Sequence, residues 1–398
     1  MSSPDLRGLQ TLAVHAGEGP DPTTRASAPN LVMSTTFLID PDIAFSAEEL
    51  EPDAPFVYTR WGNPTVRQLE EKLAALEGAE AAIGFASGMA AISALLTYAL
   101  RPGDHLIMSD VAYAGASELV SGIVTRGGVE VSRVDLSDLA ALEAALRPTT
   151  RLVYAETPAN PILRLTDVEA VAELVHAAGA RFVVDSTFAT PVALRPIELG
   201  ADYVLHSLTK YIGGHGDAVG GALLGAAEDL AAIRRGPGIH VGGALSPFNA
   251  WLIMRGTATL PVRMRAHAEG ALAVARFLEG HPRVTKILYP GLPSHPQYDL
   301  ARRQMKSASG MVSFQAEGGP ETARRLAREL KTVHYAVSLG HHRSLVVYLH
   351  TADLMRTSFR MSEQQEAAYR AYAGDGLFRL SVGLEDAADI IADLEQAL

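Results

Sequence analysis

The feature that most restricts how this chain can fold is an alternation that starts at Val66 and runs to Ser207. VRQLEEKLAALEG (66–78) has apolar residues at helical spacing and ends on a glycine. AAIGFAS (81–87) is a short apolar run, GMAAISALLTYAL (88–100) an apolar helix, and DHLIMSD (104–110) another short run. The pattern repeats through VEVSRVD, LAALEAAL, RLVYAET, VEAVAELVHAAG, RFVVDS and ADYVLHS. Short apolar strands separated by helices predict a mostly parallel sheet covered on both faces. Ligands in such folds bind beyond the carboxyl ends of the strands. After about Gly243 the texture changes. Residues 248–280 read as a long helical region broken at Pro261, and GMVSFQAE, HYAVSLG and LFRLSVGLED as strands before a terminal helix. The expectation is an α/β chain in three parts: an extended arm over 1–60, a large domain over 61–245, and a smaller α+β domain over 246–398.

Composition narrows the function classes. The net charge of −11 gives no basic face for nucleic acid, and the basic run in ETARRLARELK (321–331) is one side of an amphipathic helix. The chain has no cysteine, so disulfides, thiolate-held zinc and a thiol nucleophile are excluded. The first residues, MSSPDLRGLQ, lack the layout of a signal peptide, and no apolar run approaches the roughly 18 residues of a membrane span. A soluble cytoplasmic protein is expected.

Only five of the 34 basic residues are lysines. Lys72, Lys286, Lys306 and Lys331 sit among charged or polar residues and are expected at the surface. Lys210 differs: it follows the apolar run YVLH within HSLTKYIGGHGD, between hydroxyl residues and a glycine turn. A lysine desolvated on such a loop becomes nucleophilic, as a Schiff-base lysine must be, although a phosphate-binding lysine would sit equally well there. Asp185 ends the strand RFVVD and could pair with a protonated pyridine nitrogen or cap the following turn. Ser87, Gly88 and Met89 begin a helix, a place suited either to phosphate or to an ordinary N-cap. Ser207 and Thr209 could add hydroxyl donors or bond locally. Tyr113 could stack on a flat cofactor or be merely half-buried. Arg379 lies inside an apolar strand, where a guanidinium pairs with an internal or a substrate carboxylate. Tyr58 and Arg60, in YTRWGNPT, could equally form a plain turn. His341 and His342 are adjacent with no acidic partner at helical spacing, so no metal site is expected. GGHGDAVGGALLG lacks the spacing of a nucleotide-binding loop.

Taken together, YTRWGNPT, FASGMAAI, ETPANP (156–161), VVDSTFATP (183–191), HSLTKYIGGHGD and FRLSVGLED resemble the cystathionine/methionine-metabolism family of pyridoxal-phosphate enzymes, fold type I. The resemblance covers almost the whole chain. It implies pyridoxal 5'-phosphate held covalently by Lys210, with Asp185 against the ring nitrogen. Ser87, Gly88, Met89, Ser207 and Thr209 would cradle the phosphate, and Tyr113 would stack on the ring and pass a proton to the leaving group. Asn160 would sit beside the phenolic oxygen, and Asn160, Ser338 and Arg379 would hold the α-carboxylate of an amino-acid substrate. Tyr58 and Arg60 would reach a neighbouring subunit's phosphate, which implies a homotetramer built of two dimers. The activity implied is γ-elimination from a sulfur- or heteroatom-substituted amino acid, giving a 2-oxo acid and ammonia. The alternative is γ-replacement, as in a cystathionine γ-synthase or an O-acyl-homoserine sulfhydrylase.

The departures from the family pattern cluster around the side-chain pocket. Val337 stands where members that handle cystathionine often carry a glutamate. Gly115 replaces a cysteine frequent in methionine γ-lyases, and Ala114 the usual glycine. Ser186 and Leu208 replace a common asparagine and alanine, and His341-His342-Arg343 departs from the familiar segment after Gly340. The expectation is intact cofactor chemistry with leaving-group preference moved toward a polar γ-substituent.

Overall fold

A computed structural model describes residues 8–21, 23–43, 46–48, 54–359 and 361–398. Parts of the expected arm (1–7, 22, 44–45 and 49–53) lie outside the described residues. The first sheet comprises β1 (Ala81–Phe85), β2 (His105–Ser109), β3 (Glu130–Val134), β4 (Thr150–Glu156), β5 (Arg181–Asp185), β6 (Tyr203–His206) and β7 (Gly221–Gly225). Their order is β1-β7-β6-β5-β4-β2-β3. All neighbours are parallel except β7, which runs against both β1 and β6. Because β7 is reversed, β1 points the same way as β6. The carboxyl ends of six strands and the amino end of β7 therefore share one edge.

Side chains alternate across this sheet and both faces are buried. Leu106, Met108, Leu152 and Tyr154 pack with Ala91, Leu95 and Leu96, while Ile107, Val153, Ala155 and Phe182 pack with Val171 and Val175. Strands buried on both faces are continuously apolar, which is why the runs are legible in the sequence. The exception is β7, GALLG, whose flanking glycines disguise a fully buried strand.

The second sheet comprises β8 (Val284–Leu288), β9 (Met311–Ala316), β10 (His334–Tyr335), β11 (Leu345–His350) and β12 (Gly376–Ser381), in the order β10-β11-β12-β9-β8. One face, with Val312, Phe314, Val346, Phe378 and Leu380, packs on Ala271, Val274 and Leu278 of the helix Leu260–Gly280 and on Ile390 and Leu394. The other face turns to the first sheet. There Ser313 donates to the carbonyl of Pro161 at 2.6 Å, and Leu377 joins a cluster with Val111, Ala159 and Ile162. Arg379 sits between Phe378 and Leu380 on β12, so alternation sends it to this inter-sheet side. The helical region breaks at Thr259, between Pro247–Ala258 and Leu260–Gly280, with Pro261 in the first turn of the second helix, where its missing N–H is harmless.

Two surface expectations need correction. Lys286 is half-buried, its Nζ donating to the carbonyl of Ala371 at 2.5 Å. Lys72 is fully buried. On α2 (Pro64–Glu77) it shares a face with Leu69, Leu73 and Leu76, spaced for burial despite the surrounding charges. Its Nζ donates to the carbonyls of Ala13 at 2.7 Å and Val14 at 3.3 Å and pairs with Glu18 at 2.5 Å. These bonds clamp a short helix, α1 (Leu9–His15), onto α2 through Leu12, Ala13, Ala16 and Leu76, so the arm is not extended throughout. Lys72→Met should lower stability by about 2 kcal/mol, the scale of hydrogen bonds to a charged group. It should also open residues 9–18 to proteases. Urea denaturation with limited proteolysis measures both, and an unchanged midpoint would contradict the clamp.

Candidate active site

The site forms where the common strand edge meets the inter-sheet side of the second sheet. Glu156, Asp185 and Leu205 are in register on neighbouring parallel strands, which sets the ends of β4, β5 and β6 side by side. From β6 the chain enters the turn that carries Lys210. The Lys210 N–H donates to Ser207 O at 3.2 Å, and Gly214 N–H returns to Lys210 O at 2.7 Å. Gly214 has φ +73°, and a Cβ there would lie 2.0 Å from the Arg263 guanidinium. Arg263 is buried and donates to the carbonyls of Tyr211 (2.7 Å), Ile212 (3.1 Å) and Gly256 (2.7 Å). It thus ties the turn after Lys210 to the long helices. Burial lowers its pKa to about 10, which still leaves it charged at neutral pH.

Lys210 Nζ donates to Ser338 Oγ at 2.9 Å. Burial, aided by the charge of Arg379, lowers its pKa from 10.5 to about 8. Ser338 has φ +86°, off the β region, so the expected strand HYAVSLG ends after Tyr335. This turn swings Ser338 to the lysine. Gly340 follows at φ +71° with the Tyr211 N–H only 2.5 Å from where a Cβ would sit.

Arg379 Nη1 donates to Asn160 Oδ1 at 2.9 Å and Nη2 to the Ser338 carbonyl at 3.2 Å. Both partners are neutral, so the guanidinium keeps a full charge with which to hold an incoming carboxylate. Lys210, Ser338, Asn160 and Arg379 are therefore one connected group, although they come from four segments of the chain.

Asp185 is buried at the end of β5. Its Oδ1 accepts from the Thr187 N–H at 3.1 Å and hydroxyl at 2.6 Å, and its Oδ2 from the Tyr154 hydroxyl at 3.2 Å. Burial raises its pKa, and the Thr187 bonds work against that rise. Beside it, Glu156 is raised well above the carboxylate range by burial and by the Asp185 charge. Glu156 is a positioning residue that the sequence reading passed over although it begins ETPANP. Its Oε2 accepts from the Tyr113 N–H at 2.5 Å and its Oε1 from the Asn160 N–H at 2.9 Å. Tyr154 and Arg263 were likewise missed, since each acts on groups far away in sequence, whereas Thr187, two residues beyond Asp185, makes the turn cap considered for that carboxylate.

Ser87 caps α3 (Gly88–Ala99), its Oγ accepting from the Ala90 N–H at 3.1 Å. The first N–H groups of a helix have no partner within it. A Cβ on Gly88 would touch Ser207 at 3.4 Å, and one on Gly221 would strike Ser87 O at 2.3 Å, so the helix start, Ser207 and β7 converge on one spot. The Thr209 hydroxyl exchanges bonds with the Gly220 backbone, donating at 3.2 Å and accepting at 3.1 Å, the local role considered for it. Tyr113 is 44% exposed, and its ring lies over Gly115, where a Cβ would be 2.7 Å away. Tyr58 and Arg60 are engaged elsewhere: Arg60 lies 5.6 Å from the Tyr58 ring centroid and donates to the Ile239 carbonyl.

A phosphorylated pyridine aldehyde needs an anion site, a buried carboxylate for its ring nitrogen, a partly desolvated amine and an aromatic face. The residues gathered here fit each requirement. The class defined is the fold type I enzymes that depend on pyridoxal phosphate. The chain belongs to the Cys/Met metabolism PLP-dependent enzyme family, whose model matches residues 10–398. It is 44% identical to cystathionine gamma-synthase of Mycobacterium tuberculosis over 397 residues, covering 99% of this chain and 97% of that protein. It is 42% identical to canavanine gamma-lyase of Pseudomonas canavaninivorans, covering 99% and 98%, and 41% identical to L-methionine gamma-lyase of Fusobacterium nucleatum, covering 98% of each. Among solved structures it resembles cystathionine gamma-lyase from Lactobacillus plantarum complexed with L-serine, with a TM-score of 0.87, 35% identity and 98% of each chain covered. Among the described residues no helix is long and apolar enough to cross a membrane.

The lowered pKa of Lys210 makes a signed prediction for the cofactor-free protein. Below about pH 8 the lysine is protonated folded and unfolded, and folding bears the full cost of the buried ammonium. Between about 8 and 10.5 the unfolded chain binds a proton that the folded chain has shed, so stability rises with pH. Lys210→Met should therefore stabilise the cofactor-free protein at neutral pH by up to about 3 kcal/mol and flatten that rise. Urea denaturation across the alkaline range checks this, and an unchanged slope would refute it.

Proposed function

We propose that this enzyme is a γ-lyase that removes a sulfur- or heteroatom-linked γ-substituent from an amino acid, giving a 2-oxo acid and ammonia. The observation that carries elimination over cystathionine handling is Val337. It is 74% exposed beside Ser338, where an apolar branched side chain offers nothing to a distal ammonium. The 42% identity to a canavanine gamma-lyase supports a polar γ-substituent.

In this reading Lys210 carries the cofactor, Asp185 faces the ring nitrogen, and Ser87, Gly88, Met89 and Ser207 hold the phosphate, with Thr209 fixing the loop. Bound there, pyridoxal phosphate supplies an electron-withdrawing ring that acidifies the Cα–H of an attached amino acid. Arg379 grips the substrate carboxylate, with Asn160 and Ser338 holding the guanidinium in place. Displaced from the cofactor by the substrate's own amine, Lys210 would be a free amine whose pKa burial lowers to about 8, and would serve in turn as the base for the α-proton and, after giving that proton up, for the Cβ proton. The Cγ–heteroatom bond breaks, and the Tyr113 hydroxyl protonates the departing group. Hydrolysis of what remains releases the 2-oxo acid and ammonia. Tyr58 and Arg60 serve a neighbouring subunit within a tetramer of two dimers.

The second reading is γ-replacement, favoured by the 44% identity to a cystathionine gamma-synthase. A panel of methionine, homocysteine, canavanine, cystathionine and O-acetylhomoserine, with and without added thiol, separates the two. The expected result is 2-oxo acid and ammonia without thiol from at least one non-cystathionine substrate. Thiol-dependent release of acetate alone would sink the lyase. Lys210→Ala should lose all turnover while keeping its fold. Val337→Glu should improve kcat/KM for cystathionine by about threefold to tenfold, the worth of one partly exposed charge-assisted bond.

A further inference from the structure

His341, one of the residues that sets this sequence apart from its family's pattern, lies directly behind the lysine's hydrogen-bond partner. Its Nε2 is 3.3 Å from Ser338 Oγ, the same oxygen that accepts from Lys210 Nζ. The ring is seated on the glycine turn of the lysine segment, where a Cβ on Gly216 would lie 2.7 Å from it. The backbone beside it is fixed as well, because His342 N–H donates to Gly214 O at 3.0 Å.

A serine hydroxyl has one proton and can donate it only once. If that proton turned to Lys210, it would occupy the lone pair of the neutral amine, which the amine needs to act as nucleophile or base. We propose that His341 is a positioning residue which accepts the Ser338 O–H hydrogen bond at Nε2 and so leaves the lone pair of Lys210 free. Ser338 then meets the lysine only as an acceptor. This requires a neutral imidazole protonated at Nδ1. Burial and the charges of Lys210 and His342 favour the neutral ring, against an opposing pull from Asp217. The inference rests on Lys210 being the reacting amine.

Two measurements test it in the full chain. In the cofactor-free protein, acylation of Lys210 by a small amine-reactive ester, with loss of its alcohol, is followed across the alkaline range by peptide mass spectrometry. This gives the pH-independent rate of the neutral amine separately from its pKa. In the holoenzyme, solvent deuterium exchange at Cα of L-alanine, which has no γ-substituent to lose, reports proton abstraction alone. His341→Phe, which keeps bulk but cannot accept the proton, should slow both by about threefold to tenfold, the scale of one neutral hydrogen bond. His341→Gln, whose amide oxygen can reach the Nε2 position, should restore both, and His341→Asn, which is too short, should not. If His341→Phe does not fold, the Gln and Asn variants decide. Equal rates in those two, or wild-type rates in Phe, would overturn the proposal. Borohydride reduction of the holoenzyme tests the underlying reading separately: a mark on Lys210 upholds it, and a mark elsewhere removes both.

Discussion

An ammonium that is stripped of water and given no carboxylate in return is the interaction on which this site depends. Burying an ion without a partner is ordinarily avoided, and the group responds by shedding its proton more readily. Lys210 has a serine oxygen as its partner and a second cation, Arg379, nearby, so both influences push toward the neutral amine. Neither sheet creates this alone. The first sheet brings the lysine on the turn after β6, and the second brings Ser338 and Arg379 from β12 and the loop after β10. Arg263 secures the join by satisfying the carbonyls of Tyr211 and Ile212, which the tight turn would otherwise leave buried without donors.

The two carboxylates at the strand edge show the complementary arrangement. Asp185 and Glu156 are neighbours on parallel strands, and like charges so placed cannot both ionise freely. The structure divides their duties. Glu156 spends both oxygens on the backbone N–H groups of Tyr113 and Asn160, a structural use that holds a ring and an amide in place. Asp185 receives hydroxyl and amide donors from Thr187 and a hydroxyl from Tyr154, all of which favour its ionised form. A cationic ring nitrogen would add a far stronger reason for it to remain charged.

Much of this was legible in the sequence because buried parallel strands are continuously apolar and their ends are easy to mark. Lys210, Asp185, Ser87 and Arg379 each stood out as polar residues at or within such runs. What was not legible depended on geometry that has no local signature. Glu156 acts on backbone groups of two other segments. Ser338 reaches the lysine only because its φ of +86° lifts it off the sheet, in a stretch whose residues otherwise read as a strand. Lys72 was misread because EEK looks like a solvated face, although its spacing from Leu69 and Leu76 places it on the buried side. Here periodicity was the better guide than local charge.

The same geometry explains why substrate preference can shift while the cofactor half stays fixed. Contacts between the two halves at the lysine turn are made where a side chain would not fit. Gly340 sits against the Tyr211 N–H and Gly216 under the His341 ring; within the first half, Gly115 lies under the Tyr113 ring with Met89 close by. Any Cβ at these points would push the serine loop from the lysine or the Tyr113 ring from its place. Val337 is not bound in this way, since its side chain is turned outward beside Ser338, while the His341 ring rests on Gly216 and turns its Nε2 to the Ser338 hydroxyl. Changes there alter what meets the substrate's distal end and how the serine proton is held, and they leave the lysine, the carboxylates and the helix end where they are. On the function proposed above, specificity is written on the loop of the second sheet, and the shared chemistry on the edge of the first.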